Sequence, residues 1–229
     1  MDIAGKERLL LSFGLLIVLL VICNFAFVFS NGWSRLGWQL FSFGGLFAVY
    51  RLAGLNLADI GLSKSHLGSG LKLGLLSVFV IAVSFTILYL INQKIFGDSR
   101  YHQPLSTAFY SALLLVPLKT VIFEELVFRG IMPALLKGFG INLIYIAIVS
   151  SLIFGLWHLT SAPKSDAVSI AHFSNWMIVL GVFIATSTGG AILYLLRYYS
   201  DSLIASMIVH WFVNGFAIVL TSLSWLHRS

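Results

Sequence analysis

Residues 9–30 read LLLSFGLLIVLLVICNFAFVFS and residues 73–92 read LGLLSVFVIAVSFTILYLIN, and neither stretch carries a charge. Each approaches the roughly 20 residues that a helix needs to cross a hydrocarbon core. Inside lipid every backbone N–H and C=O must be paired within the spanning structure, which leaves helices or closed barrels. Barrel strands alternate apolar and polar residues with period two, and these runs do not. The reading is therefore all-α: a polytopic integral membrane bundle of seven or eight transmembrane helices.

Composition agrees. Of 229 residues, 59% are hydrophobic and 10% charged, with mean hydropathy +0.98, whereas ordinary soluble domains carry about 25% charged residues. Lys6 and Arg8 before a leucine run resemble the start of a signal peptide. The apolar stretch continues to Phe29 without a clear small-x-small cleavage site, so it is read as a retained first span. Cys23 is the single cysteine, which excludes an intramolecular disulfide and a cysteine-based metal site. The formal charge of +6 lies mostly in loops and ends, fitting a membrane surface and not nucleic acid.

The expected spans are Leu9–Phe29, Leu36–Ala53, Leu71–Ile91, Leu105–Lys137, Ile141–Leu159, Asn175–Tyr199 and Ser202–Leu223. The second is weak, interrupted by glycines and bounded by Arg35 and Arg51. The fourth is long for one crossing at about 1.5 Å per residue. It also contains Pro117, which removes a helix hydrogen bond and would divide it into two helices. With seven spans, Lys6, Arg8, Arg51, Lys64, Lys72, Lys137 and Arg197 fall on one side and Arg35, Lys94, Arg100, Lys164 and Arg228 on the other. That asymmetry favours a cytoplasmic N-terminus. Residues 1–104 supply N-terminal transmembrane helices and residues 105–223 a helical core holding the chemistry, within one membrane domain. In a prokaryote such a multi-pass protein would sit in the plasma membrane.

The informative residues are the ionisable ones inside apolar helices. Glutamate occurs at Glu7 and at the adjacent pair Glu124 and Glu125. An ionisable group at the centre of a membrane helix costs about 2.5–3.5 kcal/mol on insertion scales, so it usually faces a bundle interior or a water-filled cavity. Glu125 and Arg129 are four residues apart and share a helix face, as an ion pair does. Glu124 is rotated about 100° away and finds Phe128, not a cation, at its own i+4 position. One carboxylate is thus held by arginine and the other is available as a general base. His158 closes an apolar run beginning at Leu152, and His210 shares a face with Asn214 four residues on. One free carboxylate, two histidines and an amide on three helices form a convergent site.

Each group also has a plainer reading. A buried Glu–Arg pair serves as a packing device, His158 bonds between helices, and His210 with Asn214 clasps a neighbouring helix. Lys119 snorkels or pairs locally. His66, His102, His172 and His227 lie in loops or ends and are solvated. Gly189 and Gly190 allow close helix approach.

Three motifs occur in order. Glu124-Glu125-Leu126-Val127-Phe128-Arg129 has the pattern EExxxR, Phe154-Gly155-Leu156-Trp157-His158 the pattern FxxxH, and His210-Trp211-Phe212-Val213-Asn214 the pattern HxxxN. Together they resemble the CPBP family, the CAAX-processing and bacteriocin-processing group also called Abi, over about Leu105–Thr221. The resemblance implies an all-helical intramembrane endopeptidase with its site in a cavity open to the membrane. It implies that Glu124 and His158 activate the attacking water and that His210 and Asn214 stabilise the oxyanion, with Glu125, Arg129 and Phe154 supporting them. The family has often been labelled metalloprotease, and two histidines with a glutamate could form a zinc site. No HExxH is present, and the resemblance to eukaryotic CAAX endopeptidases points to a glutamate-dependent mechanism with no cofactor.

The expected partners are the lipid bilayer and a membrane-anchored or membrane-associated peptide: a CAAX tail, a leader or a signalling peptide. A non-catalytic membrane scaffold or bacteriocin-immunity protein is the alternative function. A small transporter using Glu124 and the histidines as a proton relay comes third.

Overall fold

The computed structural model describes residues 3–98, 101–160 and 175–226. Among them every long element is a helix: α1 (Ile3–Phe29), α2 (Gly32–Ala53), α3 (Leu67–Ile91), α4 (105–138), α5 (Leu143–Trp157), α6 (Asn175–Ser200) and α7 (Leu203–Leu226). Pro163, Lys164, Asp166 and His172 of the connection 161–174, with Arg100, His227 and Arg228, lie outside the described residues.

Among the described residues four helices are long and apolar enough to cross a membrane: Ala4–Phe29, Lys64–Ile91, Trp176–Ser200 and Leu203–Leu226. The protein is therefore an integral membrane protein. α5 is apolar but shorter, at 15 residues. α2 forms over the weak second run and is not among the four.

Local chemistry fixes the ends. Asn31 opens α2, its backbone amide donating to the Ser34 hydroxyl at 3.1 Å, and Gly54 closes it in the left-handed region at φ +69°. Asn142 opens α5, its side chain accepting from the Ile144 amide at 3.0 Å. Asp201 turns the chain between α6 and α7 with φ +52°.

The expected break at Pro117 does not occur. α4 runs through it, with hydrogen bonds reaching five residues back over Ser111–Leu115, Pro117–Val121 and Leu126–Ile131. These wide turns absorb the missing proline N–H and the clash of its ring, so a long helix survives where a kink was expected.

α4 is the centre of the assembly, touching α1, α5, α6 and α7, while α1 packs on α2, α5 on α6 and α3 on α7. One buried cluster joins Leu16 and Leu20 of α1, Val49 of α2, Phe123 and Phe128 of α4, and Phe154 of α5. α3 lies at the rim, with only 6% of its most apolar window buried, and its exposed Leu75, Phe79 and Leu90 present an apolar belt. Glycines let the helices close. A Cβ on Gly74 would meet the Ala205 backbone at 3.3 Å, and one on Gly190 the Ser151 Cα at 3.2 Å, whereas Gly189 has nothing within 4 Å. Of the pair singled out in the sequence, Gly190 alone makes the close approach.

Candidate active site

Glu124 and Glu125 sit on Ile122–Glu125, a regular turn between two of the wide stretches of α4, and both are buried. Glu125 has two cationic or donor neighbours. Its Oε1 is 3.0 Å from Arg129 Nη1 and 2.8 Å from His210 Nδ1 on α7. Arg129 in turn donates from Nη2 to the Gly190 carbonyl of α6 at 3.4 Å and lays its Cζ 4.0 Å above the Phe154 ring of α5. Two charged side chains thereby tie four helices together. A pair this deep offers little net stability, but removing one partner strands the other's charge.

Glu124 divides its two oxygens. Oε1 accepts a hydrogen bond from the Trp157 indole Nε1 at 2.9 Å. Oε2 is buried without a hydrogen bond. It lies 3.8 Å from His158 Nε2 and 3.7 Å from His210 Nε2.

Both imidazoles are oriented through Nδ1. His158 donates from Nδ1 to the Phe154 carbonyl at 2.8 Å, because a carbonyl can only accept. His210 donates from Nδ1 to the Glu125 carboxylate. Each ring therefore turns Nε2 toward the same Glu124 oxygen. Phe154 wedges between them, its centroid 4.5 Å from the His158 ring and 5.8 Å from the His210 ring.

The local fold explains why these rings meet. His158 caps the C-terminal end of α5, so its side chain leaves the helix where the backbone turns away. Gly155, one turn earlier, permits α6 to close: a Cβ there would come within 3.0 Å of Phe183.

Zinc demands close donor spacing. Bonds of about 2.0–2.1 Å in a tetrahedron place neighbouring donors about 3.4 Å apart, and the Glu124–histidine separations are wider. Among the described residues no group of three or more His, Cys, Asp or Glu side chains is arranged to hold a metal ion. As placed, Glu124, His158 and His210 stand wider than a zinc tetrahedron.

Glu124, His158 and His210 thus converge from three helices, with Phe154 between the rings and Glu125 and Arg129 behind them. Asn214 lies one turn beyond His210 on α7, half-buried, with no hydrogen bond to those groups. Lys119 is exposed, and its carbonyl accepts from Gln39 of α2 at 3.1 Å. His66 faces Asp201 at 3.6 Å, and His102 stacks on Trp225 at 4.4 Å, both away from Glu124. Two site features escaped the sequence reading: Trp157 as donor to Glu124, and the bond from His210 to Glu125. Trp157 carried a signal, being an indole beside a singled-out histidine in an apolar helix, where its N–H needs a partner.

Residues 106–216 match the family model described as Rce1-like, type II CAAX prenyl endopeptidase Rce1-like. The match runs from the start of α4 to one residue past Gly215, just under half of the chain, and contains all three motifs, consistent with the resemblance to the CPBP family. No curated protein and no solved structure matches the chain.

Proposed function

We propose that this protein is a multi-pass intramembrane endopeptidase that hydrolyses a peptide bond in a membrane-anchored or membrane-associated substrate of CAAX, leader or signalling type. The observation that carries the reading is Glu124 Oε2, a buried carboxylate oxygen without a hydrogen bond, facing two histidine Nε2 atoms at 3.7 and 3.8 Å. Those separations are too long for direct hydrogen bonds. A water admitted between Glu124 and His158 as the site opens would bridge the two, as bridging waters commonly do.

In this reading Glu124 takes the proton of that water and His158 Nε2 orients it, so hydroxide attacks the scissile carbonyl. The carbonyl oxygen becomes an oxyanion as the tetrahedral intermediate forms. His210 and Asn214 stabilise it. With Nδ1–H directed at Glu125, His210 donates to the oxyanion from Nε2 when that nitrogen also carries a proton. Glu124 then returns its proton to the leaving amine as the C–N bond breaks. No metal enters these steps. The seven long helices are read as crossings, with the N-terminus on the cytoplasmic side.

The test is comparative membrane peptidomics on cells expressing the wild type or Glu124→Gln at equal levels. Cleavage products present with wild type and lost in the variant support a glutamate-dependent protease and name its substrate. Identical peptide profiles, with the wild-type phenotype retained by the variant, would transfer the assignment to a membrane scaffold or immunity protein.

A further inference from the structure

The reading of Glu124 as the base leaves open what holds its carboxylate so that one oxygen faces the histidines. The two oxygens are equivalent, but their plane swings about the last side-chain bond unless a donor fixes one of them. The Trp157 N–H at 2.9 Å holds Oε1. Trp157 is itself fixed from several sides. Its ring meets Phe27 of α1 at 6.5 Å, and Phe123 and Phe128 of α4 both at 6.1 Å.

Its backbone is fixed as well. The last carbonyls of a helix lack partners within it. The Trp157 carbonyl, at the end of α5, accepts from Asn24 Nδ2 of α1 at 2.7 Å. An amide in an apolar run costs free energy unless it is bonded, and Asn24 interrupts such a run between Cys23 and Phe25. α1 lies wholly outside residues 106–216, the part matching the family model.

We propose that Trp157 and Asn24 are positioning residues for Glu124: Asn24 of α1 holds the end of α5, and Trp157 there holds Oε1 so that Oε2 faces both histidines. The first helix is then a working part of the active site as well as a membrane span. This rests on the reading of Glu124 as general base. Trp157→Phe keeps an aromatic ring against Phe27, Phe123 and Phe128 and deletes only the donor. Asn24→Leu deletes the amide at similar volume.

The experiment uses the purified full-length chain in lipid nanodiscs with an internally quenched farnesylated CAAX peptide, thermal unfolding, and the Trp157 indole N–H resonance by NMR. Trp157→Phe is expected to lower kcat about ten- to a hundredfold, the value of a hydrogen bond to a charged group, with KM within about twofold. Asn24→Leu is expected to lower kcat by about threefold to tenfold, the value of a neutral hydrogen bond. It should also shift the indole resonance, as Glu124→Gln should. Unchanged kcat in Trp157→Phe overturns the proposal, as do losses of kcat that follow the thermal midpoint. If the wild type cuts this peptide no faster than Glu124→Gln, the proteolysis of this probe fails instead. The resonance then decides the contact by itself, since an indole signal unmoved by Glu124→Gln overturns the hold on Oε1.

Discussion

His210 Nδ1 lies 2.8 Å from Glu125 Oε1, the same oxygen that stands 3.0 Å from Arg129 Nη1. The second glutamate of the motif therefore joins a structural cation to a site histidine. Its partner on the chain, Glu124, meets that histidine's other nitrogen.

Arg129→Met should unfold or destabilise the protein. It leaves Glu125 buried with one partner fewer and strips the Gly190 carbonyl and the Phe154 face of their contact. Breaking a buried pair in this way costs about 3–5 kcal/mol. A lowered thermal midpoint and reduced accumulation in membranes should be seen, while Glu124→Gln accumulates normally. Equal midpoints for Arg129→Met and wild type would show that the pair does not hold the bundle.

Asn214→Ala should leave the fold intact, because its side chain bonds none of the buried groups around Glu124. If the amide serves the oxyanion, kcat falls about 10²–10³-fold, the cost of one lost donor, with KM little changed. A loss confined to KM would instead make Asn214 a substrate-binding group.

Chelation separates water activated by glutamate from water activated by zinc. Incubating the purified protein with phenanthroline, followed by removal of the chelator, should leave cleavage at the wild-type rate. Loss of activity restored by added zinc would overturn the glutamate-only mechanism.

Gly190→Ala and Gly189→Ala should differ although the residues are neighbours. The first places a methyl group 3.1 Å from Phe154 Cδ1 and 3.2 Å from Ser151 Cα. That overpacking should cost about 1–3 kcal/mol and disturb the ring between the two histidines. The second meets open space and should be neutral, or stabilise by up to about 1 kcal/mol through helix propensity. Thermal unfolding of both variants in nanodiscs tests the contrast, and equal midpoints would argue against close α5–α6 packing.

The members of the candidate site were legible where membrane physics makes polar groups conspicuous. Glu124, His158 and His210 stood out because ionisable residues in apolar helices are costly and must be used or paired. Their meeting follows from helix positions that no local pattern encodes. The same holds for the bond between Glu125 and His210, which are 85 residues apart in sequence. Pro117 misled because propensity rules describe a regular helix, and the wide turns of α4 offer the proline another geometry. Gly189 and Gly190 looked equivalent, but adjacent residues on a helix point about 100° apart, so one met α5 and the other did not. Asn24 offered a signal of the same kind as the histidines. An amide is less costly in an apolar helix than a charge, so its signal is weaker.

α5 is 15 residues long, or about 22 Å at 1.5 Å per residue, against a hydrocarbon core of about 30 Å. Hydrophobic mismatch of that size makes a bilayer thin or dimple beside the helix. Were α5 a crossing, thinning of the bilayer at its His158 end would bring the headgroup layer and its water toward the buried carboxylate.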